Sequence, residues 1–444
     1  MLLTLGDKAD LAIDWRLLGP PDGTPIAVAV SGGADSFSLL HALWSKGYAP
    51  LALTVDHGLR PEERHEAERV AAWCKTRKVP HHILTWKGDK PAKGVQAAAR
   101  AARYRLLIEA CAEQEIDRLA TGHTLDDQAE TLFMRLGRGS GAGLGAMRPD
   151  SLVAAGGGAP IRLLRPMLKT ARRGESAHYA AQHDLPVAKD PSNDDEGYER
   201  IRVRALLRAL DLQDLLTPAA LARSARRVAA LTDAQGRHLT ALLARVGQEA
   251  VPGVVRLDFE RFAVDVDDQR ALVARVLSAI GTPVQADDVA LVQGLAQGQW
   301  AAGGVIVEKE GERVFIYREP AAVLGRADGL RGLPPVAVGE HPVLWDRRYI
   351  LTAPPGLDPG AHWTPLGQGL PNQIVPSTRA RRALAGIPAL FQAGQVTHVP
   401  KWALGALVAA LDGWKDAGSF LSDVLEFEAE SLFEERFAGR VIRH

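Results

Sequence analysis

The feature that most constrains this chain is an apolar strand that runs into two adjacent glycines and then a helix, IAVAVSGGADSFSLLHALW over 26–44. Glycine lets the backbone approach an anion with no Cβ in the way. The first turn of the following helix has unpaired N–H groups and about half a positive charge from its dipole. Together these predict a phosphate cradle of Ser31, Gly32, Gly33, Ala34, Asp35 and Ser36, with two hydroxyl donors. Asp35 is the odd member, because an acid repels phosphate; a Mg²⁺ ion between them would reconcile the two. The plainer alternative is a glycine turn whose helix is capped by Asp35 or Ser36. No GxxxxGKS or GxxxxGKT occurs, which excludes a Walker-type loop. The glycine run at 137–147 follows a predicted helix rather than a strand, so a dinucleotide fingerprint fails there on context.

The first half alternates short β-branched runs with amphipathic stretches. IAVAV (26–30), LALTVD (51–56), HHILTW (81–86) and DRLATGH (117–123) read as strands. The pattern predicts an α/β fold with a parallel sheet covered on both faces. Ligands of such sheets sit at the carboxyl ends of the strands, which directs attention to the loops after Val30, Val55 and Thr121.

The last of these loops opens ATGHTLDDQAETLFMRLG, with His123, Asp126, Asp127 and Glu130. At the helical period His123, Asp127 and Glu130 share one face, and Leu125, Ala129, Leu132 and Leu136 the other. Like charges one turn apart cost a few tenths of a kcal/mol, which a bound cation would offset. Acids solvated near a helix N-terminus explain the spacing equally well. The spacing fits no HExxH-type zinc site.

From about 200 the pattern changes. Thr217 and Pro218 start a helix, DDQRALVARVLSAIG is a second closed by Gly281, and ADDVALVQGLAQG a third. A hairpin turning near Gly311 follows. The predicted domains are 1–214, a mainly helical accessory domain at 215–320, and a mixed α+β domain at 341–444 beyond a Pro/Gly-rich linker.

Composition narrows the classes. Lys+Arg and Asp+Glu are both 53, so no uniform charge coats the surface. The balance is local: residues 135–173 carry eight Arg/Lys against one acid, and residues 200–237 eight Arg against three Asp. Such runs flanking a nucleotide site suit an RNA backbone. The two cysteines, Cys74 and Cys111, exclude a disulfide scaffold or four-cysteine cluster. No apolar run reaches the roughly 18 residues that span a bilayer, and the first residues lack the basic start of a signal peptide. The expectation is a soluble protein of a reducing compartment, the cytoplasm, with no membrane partner.

SGGxDS resembles the signature of the PP-loop, or N-type ATP pyrophosphatase, superfamily. GHTLDDQAET resembles the GHxxDDQxET motif of the tRNA(Ile)-lysidine synthetases. VDHGLR (55–60), Arg103-Tyr104 within QAAARAARYRLL, GRGSGAGLGAM, RLLRPMLKTAR (162–172) and AKDPSNDD (188–195) are similar to further motifs of that family, in order. One departure stands out: the family's usual Arg-Asn is Arg200-Ile201 here. The resemblance implies a ligase that uses ATP and Mg²⁺ to adenylate the wobble cytidine of a CAU-anticodon isoleucine tRNA, which free L-lysine then attacks. It implies ATP at residues 31–36 and Mg²⁺ at Asp35. It also implies a lysine site of Asp127, Glu130, Arg200 and Arg204, and catalytic roles for Asp35, Arg103, His123 and Asp127. A homodimer is left open. The alternatives are another PP-loop tRNA-modifying enzyme or a non-catalytic tRNA-binding module. A tRNA thiolase would need reactive cysteines, often CxxC, which are absent.

Overall fold

A computed structural model describes residues 10–88, 90–91, 94–154, 160–188, 197, 199–251, 253–281, 298–325, 329, 332–339, 342–369, 379–410, 424–427, 429–431, 433 and 441–443. The chain divides into two compact units. The first comprises 1–156, 160–234 and 441–444, the second 157–159 and 235–440.

The first unit opens with a short helix α1 (Trp15–Leu18), then β1 (Pro25–Ala29), α2 (Ala34–Ser45), β2 (Ala49–Asp56), α3 (Pro61–Thr76), β3 (His81–Thr85), α4 (Val95–Glu113), β4 (Arg118–Thr121) and α5 (Leu125–Gly137). All four predicted strands form, within two residues of their expected bounds. β5 (Asp150–Ala154), β6 (Ile161–Leu164), α6 (Arg173–Gln182), α7 (Glu199–Leu212) and the long α8 (Pro218–Val246), whose residues from 235 on belong to the second unit, follow. The sheet runs β5-β6-β4-β1-β2-β3, and a strand at Val441–Arg443 pairs in parallel with β5. All its other pairs are parallel except β5 with β6.

The chain leaves β1 toward β2 on one side, while β4 joins β1 on the other. That reversal opens a crevice between the carboxyl ends of β1 and β4, the usual ligand position of such sheets. β1 is buried on both faces: Ile26, Val28 and Val30 pack with Phe37, Leu40 and Leu43, and Ala27 and Ala29 with Leu107 and Ile108. Near-continuous apolar runs are what a doubly covered parallel sheet requires.

In the second unit β7 (Gly247–Val251), β8 (Val254–Asp258), β9 (Gln299–Ala302), β10 (Val305–Glu310) and β11 (Arg313–Arg318) form an antiparallel sheet against α9 (Val266–Ile280). The expected hairpin is β10–β11, with Gly311 at φ +62° in its turn. β7 and β8 were not expected, because the short run around Pro252-Gly253 was hidden behind a strong helical pattern. Helix α8 begins with Pro218 and is capped by Thr217, whose Oγ1 accepts from Ala220 N at 3.1 Å. The helix expected over 286–298 and the DPSN motif at 190–193 lie outside the described residues. A second five-stranded sheet, a three-stranded sheet and a helix at Lys401–Ala410 also belong to this unit. Among the described residues no helix is long and apolar enough to cross a membrane.

Candidate active site

The glycine loop lies at the carboxyl end of β1. Gly32 takes φ +83°, which only glycine adopts without strain, and Gly33 is the N-cap of α2. No side chain caps this helix end, so neither Asp35 nor Ser36 is its cap. Ser36 serves the loop instead: its Oγ accepts from Ser31 N at 3.1 Å and donates to Gly33 O at 3.1 Å. It also lies 3.2 Å from Ser31 Oγ. The uncapped first turn leaves its N–H groups to an external acceptor.

Gly122, just after β4, fixes how close the second loop comes. A Cβ there would lie 2.8 Å from the Asp35 backbone and from Ser36 Cα, so the two loops touch backbone to backbone. This contact sets Asp35 beside the acids of α5. Asp35 Oδ1 is buried and has no hydrogen-bond partner among the described residues. Burial, and then the charge of Asp127, push its carboxyl up to about 6, although Arg173 pulls the other way.

His123 precedes α5 rather than sharing its face, because Thr124 is the N-cap. Asp127 closes a capping box, its Oδ2 accepting from Thr124 N at 2.7 Å and Thr124 Oγ1 at 2.9 Å. Its Oδ1 accepts from Arg173 Nη2 at 2.8 Å and Arg200 Nη2 at 2.9 Å. Glu130 is 2 % exposed. Its Oε1 accepts from Arg173 Nη1 at 2.8 Å and Arg204 Nε at 2.9 Å, and its Oε2 from Arg200 Nε at 2.8 Å. Burial alone would raise both carboxyls, but the guanidiniums, Arg173 foremost, outweigh it and hold them below their usual range. The acids therefore face a cluster of half-buried arginines and not open solvent. Asp126 points elsewhere, accepting from Arg172 Nε at 3.1 Å and from the backbone N of Arg173 at 2.8 Å.

Arg173 was missed in the sequence. It sits at the start of α6 and reaches three carboxylates, with Nε 3.7 Å from Asp35 Oδ2. A signal existed: Arg172-Arg173 places two cations at a helix N-terminus, against the dipole, which calls for acidic partners.

His123 Nδ1 and Thr121 Oγ1 lie 2.8 Å apart. Burial drives the imidazole down to about 3, so it is neutral near pH 7 and a weak base. Arg103 is half-buried, and its charge is felt at both His57 and His123. No carboxylate pairs with it among the described residues, so an anion could fill that place. In the glycine run after α5, the carbonyls of Gly143 and Ala146 accept from Arg135 Nη1, so this loop is folded on an arginine. The structure thus gathers Asp35, Asp127, Glu130, Arg200 and Arg204 into one cluster. It places His123 and Arg103 beside the same strand ends.

Residues 13–210 match the family model of a PP-loop domain. A tRNA(Ile)-lysidine synthase of Mesorhizobium japonicum is 35% identical over 416 residues, 88% of this chain and 87% of its own. One of Rhizobium meliloti is 37% identical over 354 residues, 73% and 72% of the two chains. Among solved structures, a U34-tRNA thiolase from Methanococcus maripaludis aligns with a TM-score of 0.41 at 18% identity, over 49% of this chain and 77% of its own. Identical to such relatives at more than a third of the aligned positions over most of its length, the chain belongs to the tRNA(Ile)-lysidine synthase family.

Proposed function

We propose that this chain joins free lysine to the position-2 carbon of the wobble cytidine in a CAU-anticodon isoleucine tRNA, at the expense of ATP. The observation that carries this is the backbone contact at Gly122, which sets a glycine phosphate loop against a buried pair of acids. One side suits a nucleotide, the other an amine, and the reacting atoms would meet between them.

In the first half-reaction the cytidine O2 attacks the α-phosphorus of ATP, and pyrophosphate leaves. The loop at 31–36 would hold the phosphates through backbone N–H groups and the Ser31 hydroxyl. The orphaned Asp35 Oδ1 fits a divalent cation, and the described residues hold no group of three metal-ligating side chains. Mg²⁺ there would be carried by one carboxylate plus phosphate oxygens, its common mode, and would neutralise phosphate charge. Arg103, a cation without a carboxylate partner among the described residues, would steady charge on the adenylated base or its phosphate.

In the second half-reaction the lysine side-chain amine attacks C2, and AMP leaves with the oxygen. Asp127 and Glu130 would hold the amine by charge-assisted bonds, and Arg200 or Arg204 the carboxylate. His123 would position the strand-end loop through Thr121 and, being neutral, could take a proton only from an already acidified ammonium. Sulfur transfer fits poorly: Cys74 and Cys111 are buried, and burial holds both thiols near 12, where no thiolate forms at neutral pH.

The test supplies radiolabelled lysine, Mg-ATP and an unmodified CAU-anticodon isoleucine tRNA transcript. Lysine should enter the tRNA with release of AMP and pyrophosphate. ATP-dependent thiolation or amidation in place of lysine incorporation would sink the reading.

A further inference from the structure

The acids assigned to the amine are already nearly full. Asp127 accepts four hydrogen bonds and Glu130 three. A carboxylate offers about four acceptor positions, so an entering ammonium, with three donors, finds at most one place until a guanidinium leaves. The three arginines are not equally held. Arg173 spans Asp35, Asp127 and Glu130, and its own backbone N is anchored on Asp126. Arg200 grips both acids with a two-pronged fork. Arg204 makes a single bond, from Nε to an oxygen that Arg173 also holds. Neither of its terminal nitrogens has a partner among the described residues, and its side chain is 29% exposed.

We propose that Arg204 is a specificity-determining residue that covers Glu130 against amines lacking a carboxylate and swings off it only onto the carboxylate of an incoming amino acid. The idea rests on the lysine reading above. An amino acid brings an ammonium for Glu130 and a planar carboxylate for the freed guanidinium, so every charge keeps a partner. A diamine of the same length brings only the first. It would strand Arg204 in a half-buried position, and unpaired polar groups are what make such sites selective.

The experiment uses the full chain with Mg-ATP and the tRNA transcript, lysine as substrate, and cadaverine, the decarboxylated analogue, as competitor. The unaltered chain should bind cadaverine at least about 100-fold more weakly than lysine. In Arg204→Gln the lysine KM should rise about tenfold or more, while the cadaverine inhibition constant should fall about threefold or more. The ratio of the two constants is internal to each sample, so a partly folded variant does not hide it. A cadaverine constant that is unchanged or weaker in Arg204→Gln overturns the proposal, because a simple carboxylate contact would weaken lysine without admitting the diamine. Failure of the unaltered chain to incorporate lysine overturns the reading itself, and that assay is scored before any variant is made.

Discussion

Each unit holds a buried acid ringed by arginines, and the two rings end differently. In the second unit Asp346 accepts from Arg318 Nε and Nη2, both at 3.0 Å, and from Arg348 Nε at 2.7 Å. Arg318 is tied at all three nitrogens, its Nη1 on Gly304 O, and Arg348 has a second hold, its Nη2 on Gly386 O. In the first unit the ring around Asp127 and Glu130 leaves the terminal nitrogens of Arg204 and the Oδ1 of Asp35 without partners among the described residues. It also lies at the carboxyl ends of parallel strands. A closed ring is architecture. An open one, at that position, has atoms left over to meet the proposed ligand. The difference is carried by the unsatisfied atoms and not by the residue types, which are the same.

Substitutions can break or sharpen that contrast. The largest effect should come from Glu130→Ala, with lysine incorporation falling about 10³-fold while ATP still binds, since three guanidiniums lose their shared anchor. An unchanged lysine KM would remove Glu130 from the amine site. Asp346→Ala should cost stability, about 3–5 kcal/mol by urea unfolding, because two largely buried arginines lose their only carboxylate among the described residues. The lysine KM of the folded fraction should stay put, and a parallel rise would erase the distinction between the rings. Gly122→Ala should lower turnover about 10²-fold by forcing the β4 loop off the first turn of α2, with little change in the unfolding midpoint of the second unit.

The smallest effect on stability concerns Asp35. Its carboxyl titrates near 6 in the fold against an ordinary 3.8, so the native state holds that proton more tightly and loses stability as pH rises between those values. Asp35→Asn should therefore be more stable than the parent by about 1–2 kcal/mol at pH 7.5 in magnesium-free buffer, and no more stable below pH 4. It should also be inactive. Thermal unfolding at both pH values reads this, and a variant less stable at pH 7.5 would show that Arg173 already satisfies the carboxylate.

Much of this could be read from the sequence because it is local. The strand–glycine–helix run needs only its own residues to form, and so does the Thr217–Pro218 start of α8. The acid pair was visible too, but its surroundings were not. Arg173, Arg200 and Arg204 reach Glu130 across 43, 70 and 74 residues, and no periodicity within one helix reports contacts at that range. Arg200 and Arg204 were expected to hold a carboxylate of the ligand; in the free protein they hold carboxylates of the chain. Gly122 was quoted as part of a motif, yet only the 2.8 Å approach gives the reason that no side chain fits there. His123 was placed one helical turn before Asp127, and the Thr124 cap moved it off the helix.

The strand Val441–Arg443 pairs with β5 in the first unit although the whole second unit separates the two in the chain. During synthesis the sheet that carries the glycine loop must therefore stand for a time with β5 unpaired on that side. Exposed strand edges recruit other chains. The nascent protein is most vulnerable to aggregation in that interval, and slowed translation of the second unit would lengthen it.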